Sequence, residues 1–227
     1  MAPKLDIHPE VERALKKGQA VVALESTLIT HGFPPPENAN IARSVEEVVR
    51  EAGAVPATIA ILAGRVTVGL TADQLNYLAS AKNVRKCSRR DLPVAVTRRE
   101  DGATTVAGTM IVANWAGIRV FATGGIGGVH RDQPFDESAD LLELGRTPVT
   151  VVCSGAKAIL DLPLTLEVLE TQGVPILGYQ TDELPAFYSR NSGLPIDVRV
   201  DGPKETADMI RTHERMDLGG GMLVTVP

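Results

Sequence analysis

The chain has little that could cross-link it and nothing that marks a nucleic-acid or membrane surface. Of its 227 residues only Cys87 and Cys153 are cysteines, far apart and outside any CxxC pattern. That excludes a disulfide framework and points to a reduced, cytoplasmic setting. No block of like charge runs along the sequence, and the formal net charge is −5. A surface that neutralises nucleic-acid phosphates needs clustered Lys and Arg, so that class of partner is excluded. A small anionic ligand is not, because a local cationic pocket can exist on an acidic protein. The longest apolar runs are of strand length and far short of a membrane span. The N-terminal segment MAPKLDIHPEVERALKK carries no apolar h-region, so no secretory leader is expected. Repeats, low-complexity tracts and linkers are absent as well, which predicts one domain over residues 1–227.

What the sequence does have is alternation. Ala20–Leu24, Ala57–Leu62, Ile118–Ala122, Val149–Val152 and Val174–Leu177 read as buried strands. Helical patterns lie between them. Glu37–Ala52 places Ile41, Val45, Val48 and Val49 on one face and meets Gly53 as a C-cap. Thr71-Ala-Asp-Gln74 is a capping box opening a helix through Leu78, and Thr104–Ala116 and Pro203–Arg215 complete the set. The pattern predicts an α/β fold, a mainly parallel sheet with helices on both faces. In such sheets ligands bind beyond the carboxyl ends of the strands, so the residues following each strand are the candidates for chemistry.

Glu25 follows the first strand, where partial desolvation would suit a carboxyl to proton donation; a helix cap or a surface ion pair is the plainer reading. Val84 to Asp91 packs four cations, Lys86 among them, with one acid, either an anion-facing loop or a solvated turn. Thr123-Gly-Gly-Ile-Gly-Gly-Val-His130 could cradle an anion on its backbone N–H groups or simply turn tightly, and no GK[ST] follows it. His130 beside it is a base or a structural residue. Asp136, Ser138, Ala139 and Asp140 open an expected helix, and the acids there either complement its dipole or hold a hard cation. Lys157 follows the strand Val149–Val152 among small residues; burial and a helix N-terminus would make it a Schiff-base nucleophile.

These segments together resemble the pseudouridine-5′-phosphate glycosidase family, also known from indigoidine synthesis A proteins. The matching stretches are ALESTLITHG at 23–32, GAVPATIAIL at 53–62, SRRDLP at 88–93 and GATTVAGTM at 102–110. They continue with VFATGGIGGVHR at 120–131, FDESADLLEL at 135–144, VVCSGAK at 151–157 and GVPILGYQT at 173–181. The resemblance implies Glu25 as proton donor, Lys157 as nucleophile, and Lys86, Val106, Ser138, Ala139 and Asp140 as substrate-binding positions. It further implies Asp136 as ligand of a divalent ion, usually Mn²⁺, and a homotrimer.

The implied reaction is reversible cleavage of pseudouridine 5′-phosphate to uracil and ribose 5-phosphate. Glu25 would protonate the ring oxygen, Lys157 capture C1′ as an iminium, and the iminium act as electron sink while the C–C bond breaks. Members of the family read Asn-Pro near residue 225 and run on into a helical part, where this sequence reads Thr225-Val-Pro227. The expectation is therefore a domain lacking that part. It leaves two rival readings: an impaired remnant that only binds ligand, and an aldolase-like enzyme using the same Lys157.

Overall fold

The computed structural model describes residues 4–227. The first three positions of the N-terminal segment, part of the stretch read above for a leader, lie outside the described residues. Internal contacts divide the chain into two compact units, Met1–Phe121 and Ala122–Pro227, within the span that the sequence reads as one domain.

The first unit contains strands β1 (Leu5–Ile7), β2 (Val21–Leu24), β3 (Val55–Leu62), β4 (Arg65–Val68), β5 (Arg85–Cys87) and β6 (Gly102–Thr104). Helices α1 (Pro9–Lys16), α2 (Glu37–Glu51), α3 (Ala72–Ser80), α4 (Leu92–Arg98) and α5 (Val106–Ala116) lie between them. The long strand β3 is buried from Pro56 to Leu62. Its first half pairs in parallel with β2, Ala23 opposite Ala57; its second half pairs antiparallel with β4 and β6. β1 and β5 add in parallel to β4 and β6. One apolar cluster joins Ile29, Ala60, Leu62, Leu70, Leu75 and Leu78. The Thr71–Gln74 capping box forms as the sequence predicts, satisfying two orphan helix donors and stabilising α3 by about 1 kcal/mol.

Two expectations need correction here. On α2 the buried residues are Asn38, Ala39 and Ala42, whereas Val45 and Val48 are exposed. The smaller face wins because α2 lies close to β3 and the turn that follows β2, where Asn38 Nδ2 donates to the carbonyls of Ile29 and Ala79. The helix expected from Thr104 starts at Val106, because Thr104 belongs to β6 and Thr105 is the N-cap.

β7 (Val120–Ala122) covers the last two residues of the first unit and the first of the second. The second contains β8 (Val129–His130), β9 (Gln133–Glu137), α6 (Ala139–Leu144), β10 (Thr150–Cys153), α7 (Leu162–Thr171), β11 (Ile176–Tyr179), β12 (Val198–Val200), α8 (Pro203–Met216) and β13 (Met222–Thr225). β10, β13, β11 and β12 pair in that order, all in parallel. Leu177, Val200, Met222 and Val224 fill the core beside them. β8 and β9 form a separate antiparallel hairpin. That hairpin corrects a further expectation: Asp136 lies in β9, and α6 opens only at Ala139, behind its N-cap Ser138. The fold class is α/β, a mixed and mostly parallel sheet with helices between its strands. No helix among the described residues is long and apolar enough to cross a membrane.

Candidate functional site

In the first unit the chain leaves β2 at Leu24 and turns at once. Glu25 is half-buried, and the Thr27 hydroxyl donates to its carboxylate. Between them Ser26 is fully buried and fastens the turn to β6: its Oγ accepts from Thr104 N at 2.9 Å. Thr104 Oγ1 donates to the Ile59 carbonyl at 2.8 Å and accepts from Thr109 Oγ1 at 2.8 Å. Buried hydroxyls cost stability unless paired, and here each has a partner. The network fixes the Glu25 turn against the segment that becomes the N-terminus of α5.

Val106 is the first residue of α5, and its side chain is buried. A buried valine offers a polar ligand only its backbone N–H, one of the donors a helix start leaves unpaired by the helix itself. Lys86, on β5, stands opposite Ala103 on β6 and is exposed. α5 passes so close to the end of β5 that a Cβ on Gly108 would lie 2.4 Å from the Cys87 carbonyl oxygen. His31, six residues beyond Glu25, is held below the usual imidazole range first by burial and then by the Lys86 cation. The first unit thus gathers Glu25, Lys86 and Val106, together with Thr27 and His31. Of the four cations expected in one loop, Arg85 is taken up by a two-pronged contact with Glu100, at 2.5 and 3.2 Å.

In the second unit the glycine loop runs beside the end of β10. Thr123 N donates to Val152 O and Ile126 N to Gly155 O, while Ser154 N donates back to Gly124 O, each at 3.0 Å. Gly127 N donates to Asp140 Oδ2 and Val129 N to Thr165 Oγ1, both at 3.0 Å. Four of the loop's N–H groups are therefore engaged within the protein, which corrects the cradle expectation for those groups. The glycines serve close approach instead: a Cβ on Gly127 would lie 2.3 Å from Ser138 Oγ. Ser138 caps α6 and donates its own N–H to Gly128 O at 3.0 Å; Ala139 is exposed and Asp140 buried.

Lys157 follows this braced strand end and is exposed. The expectation of a buried amine is corrected: burial stops at Ala156, and the chain turns outward through 157–159 before Leu160. The turn is clipped by Arg131, whose Nε and Nη2 donate to the carbonyls of Leu160 and Ala158 at 3.2 and 3.0 Å. Arg131 belongs to the turn of the β8–β9 hairpin, on which His130 Nδ1 lies 2.6 Å from Asp136 Oδ2. The second unit thus gathers Lys157, Asp136 and the Ser138–Asp140 stretch around one loop. Among the described residues no group of three His, Cys, Asp or Glu stands close enough to cage a metal ion. Neither cysteine competes as nucleophile. Burial pushes Cys87 up to about 11 and the fully buried Cys153 up to about 12.

Thr27 and His31 carry no assignment in the sequence alone. The available signal was a hydroxyl two residues past the candidate acid, and a histidine in the same turn.

The family described as indigoidine synthase A like protein matches residues 10–227. A pseudouridine-5′-phosphate glycosidase of Methylobacterium nodulans is 60% identical over 99% of this chain and 67% of its own length. A protein of the same name from Clostridium botulinum is 58% identical over 98% of this chain and 74% of its own. Among solved structures, the prealnumycin C-glycosynthase AlnA in complex with ribulose 5-phosphate superposes with a TM-score of 0.92 at 44% identity, over 100% of this chain and 74% of that one. An indigoidine synthase A-like protein from Thermotoga maritima superposes with a TM-score of 0.90 at 33% identity, over 99% and 75%.

Proposed function

The chain belongs to the indigoidine synthase A like family, and on that premise we propose that it breaks the C–C bond joining uracil to ribose 5-phosphate in pseudouridine 5′-phosphate. It is an enzyme of C-glycosidic bonds, as relatives at 54–60% identity are named. The observation that carries the reading to residues is the placement of Lys157 on a turn braced from two sides, by the glycine loop and by Arg131.

Glycosidases that act on oxygen protonate the leaving oxygen, and a carbon leaving group offers none. Opening the ribose ring solves this. Glu25 gives its proton to the ring oxygen as the C1′–O bond breaks, and the Lys157 nitrogen bonds to C1′ through its lone pair and then gives up a proton. Electron balance then fixes the order. The nitrogen lone pair forms the C=N bond as the C1′–C5 bond breaks, and C5 of uracil takes that electron pair together with a proton. The iminium is thus formed by the C–C cleavage, not before it. Water hydrolyses it, releasing ribose 5-phosphate and the amine.

Lys86 and the N–H of Val106 are assigned to the phosphate, because a cation beside a helix start suits an anion. Ser138, Ala139 and Asp140 are assigned to the sugar. The Asp136 carboxylate, oriented by its contact with His130 Nδ1, suits a hard ion held by few protein groups and completed by waters and substrate oxygens. With Mn²⁺ held by Asp136, positive charge would be supplied towards the sugar-phosphate oxygens. A homotrimer is proposed from the family resemblance, to be read from the mass in solution. A cytoplasmic setting suits two buried, unpaired thiols.

The deciding experiment incubates the chain with pseudouridine 5′-phosphate and follows uracil. Release is expected, with none from Lys157→Ala and a rate lowered by about 10²–10⁴ in Glu25→Ala. Full activity in Lys157→Ala would overturn the assignment.

A further inference from the structure

Phe187 is held in a conformation that bulky side chains avoid. Its φ is +62°, in the left-handed region where a Cβ crowds the backbone. The surroundings hold it there. Phe187 N donates to Ser154 O at 2.8 Å, and Ala186 stands opposite Gly155. Pro185 presses so closely that a Cβ on Gly155 would lie 1.8 Å from its carbonyl oxygen. The segment Pro185–Phe187 is thus fixed against Ser154–Gly155, two to three residues before Lys157.

The ring then lies along the glycine loop. A Cβ on Gly125 would stand 2.5 Å from Phe187 Cδ2, and one on Gly124 would stand 3.2 Å from Cε2. Two adjacent positions without side chains make room for one aromatic plane. The Tyr188 ring packs beside it at a steep angle, centroids 4.4 Å apart and planes at 74°, and is itself almost wholly exposed. Phe187 is only partly buried. In a chain with four Phe, three Tyr and one Trp, an aromatic ring strained into place beside the turn that carries Lys157 calls for a reason. Strain of this kind persists where the surroundings enforce it, commonly at ligand sites.

We infer that Phe187 is a specificity-determining residue whose ring forms the wall against which the uracil ring stacks. The inference rests on the proposed reaction, in which uracil is the one flat, aromatic group to be bound. A base offers a π-face to any aromatic side chain, and stacking is among the stronger contacts available to it.

The test separates base from sugar. Ribose 5-phosphate alone should form an iminium with Lys157 that borohydride traps, and this needs no base. In Phe187→Leu, trapping by ribose 5-phosphate is expected to stay within about twofold of wild type. The KM for uracil in the synthetic direction is expected to rise about tenfold or more, with recovery in Phe187→Tyr. Phe187→Trp supplies a measurement independent of turnover: uracil should quench its added emission.

An unchanged uracil KM in Phe187→Leu, or no quenching in Phe187→Trp, overturns the inference. So does a parallel fall in trapping, which would make the ring only a brace for the Lys157 turn. If the wild-type chain itself neither traps ribose 5-phosphate nor releases uracil, the proposed reaction fails first and takes this inference with it. That outcome is visible without any variant.

Discussion

His130 and Asp136 face each other across the β8–β9 hairpin, with Nδ1 2.6 Å from Oδ2 and more than half of each side chain exposed. A pair so open adds little to stability, since solvent screens it and two side chains are ordered to make it. Its value lies in presenting one oriented carboxylate and one imidazole from the hairpin whose turn residue Arg131 clips the Lys157 turn.

The first prediction concerns that pair. Titration of Mn²⁺ into the chain, followed by calorimetry or by the ion's spin resonance, is expected to show binding that Asp136→Asn abolishes. His130→Ala should weaken it about 10- to 100-fold, the usual effect of losing a partner that orients a ligand. Unaltered binding in Asp136→Asn would remove this residue from the metal proposal.

A second prediction concerns Thr27, whose hydroxyl donates to Glu25. A proton donor works only when aimed, and a displacement near 1 Å can cost about a hundredfold in rate. Thr27→Val is expected to lower kcat for uracil release about tenfold or more with little change in KM, and to move the pH–rate profile. Thr27→Ser should restore both. A uniform loss in both variants, with the profile unmoved, would leave Thr27 a purely structural part of the turn.

How much of this was legible beforehand depended on how far each signal extended along the chain. β3, α3 and α8 announce themselves by runs of apolar residues, a capping box and a first-turn proline, and each lies close to where the sequence puts it. Strands of two to five residues such as β5, β6, β8 and β9 are too short to show a period, so the sequence puts Asp136 at the start of a helix, whereas it lies on a hairpin. The candidate residues were legible through resemblance, but their surroundings were not. That Lys157 is exposed, that Val106 offers backbone, and that Phe187 lies over Gly124 and Gly125 all follow from contacts between segments distant in sequence.

The two thiols give a third prediction. Burial holds Cys87 at about 11 and Cys153 at about 12, so almost no thiolate exists at pH 8. A colorimetric disulfide reagent is expected to find both thiols in denaturant and neither, on the same timescale, in the native chain. Rapid reaction of one thiol in the native chain would show that its segment opens locally.

The last prediction turns on Glu46, which lies on α2 and accepts from the Thr58 hydroxyl. Burial raises its carboxyl above the ordinary 4.5, outweighing the Thr58 hydrogen bond and the Arg50 cation, which both pull it down. A carboxyl whose folded value lies above its unfolded one binds more protons when folded between the two. Its favourable contribution is fully present below pH 4.5 and fades as pH rises through the folded value. At neutral pH the chain therefore carries a desolvated charge that Glu46→Gln removes, while the amide oxygen still accepts from Thr58. Calorimetric melting at pH 4, 6 and 8 should show Glu46→Gln more stable than wild type at pH 8 by about 1–3 °C. The gap should close by pH 4. If the variant were instead less stable at pH 8 and equal at pH 4, attraction to Arg50 and Thr58 would outweigh the desolvation of the charge.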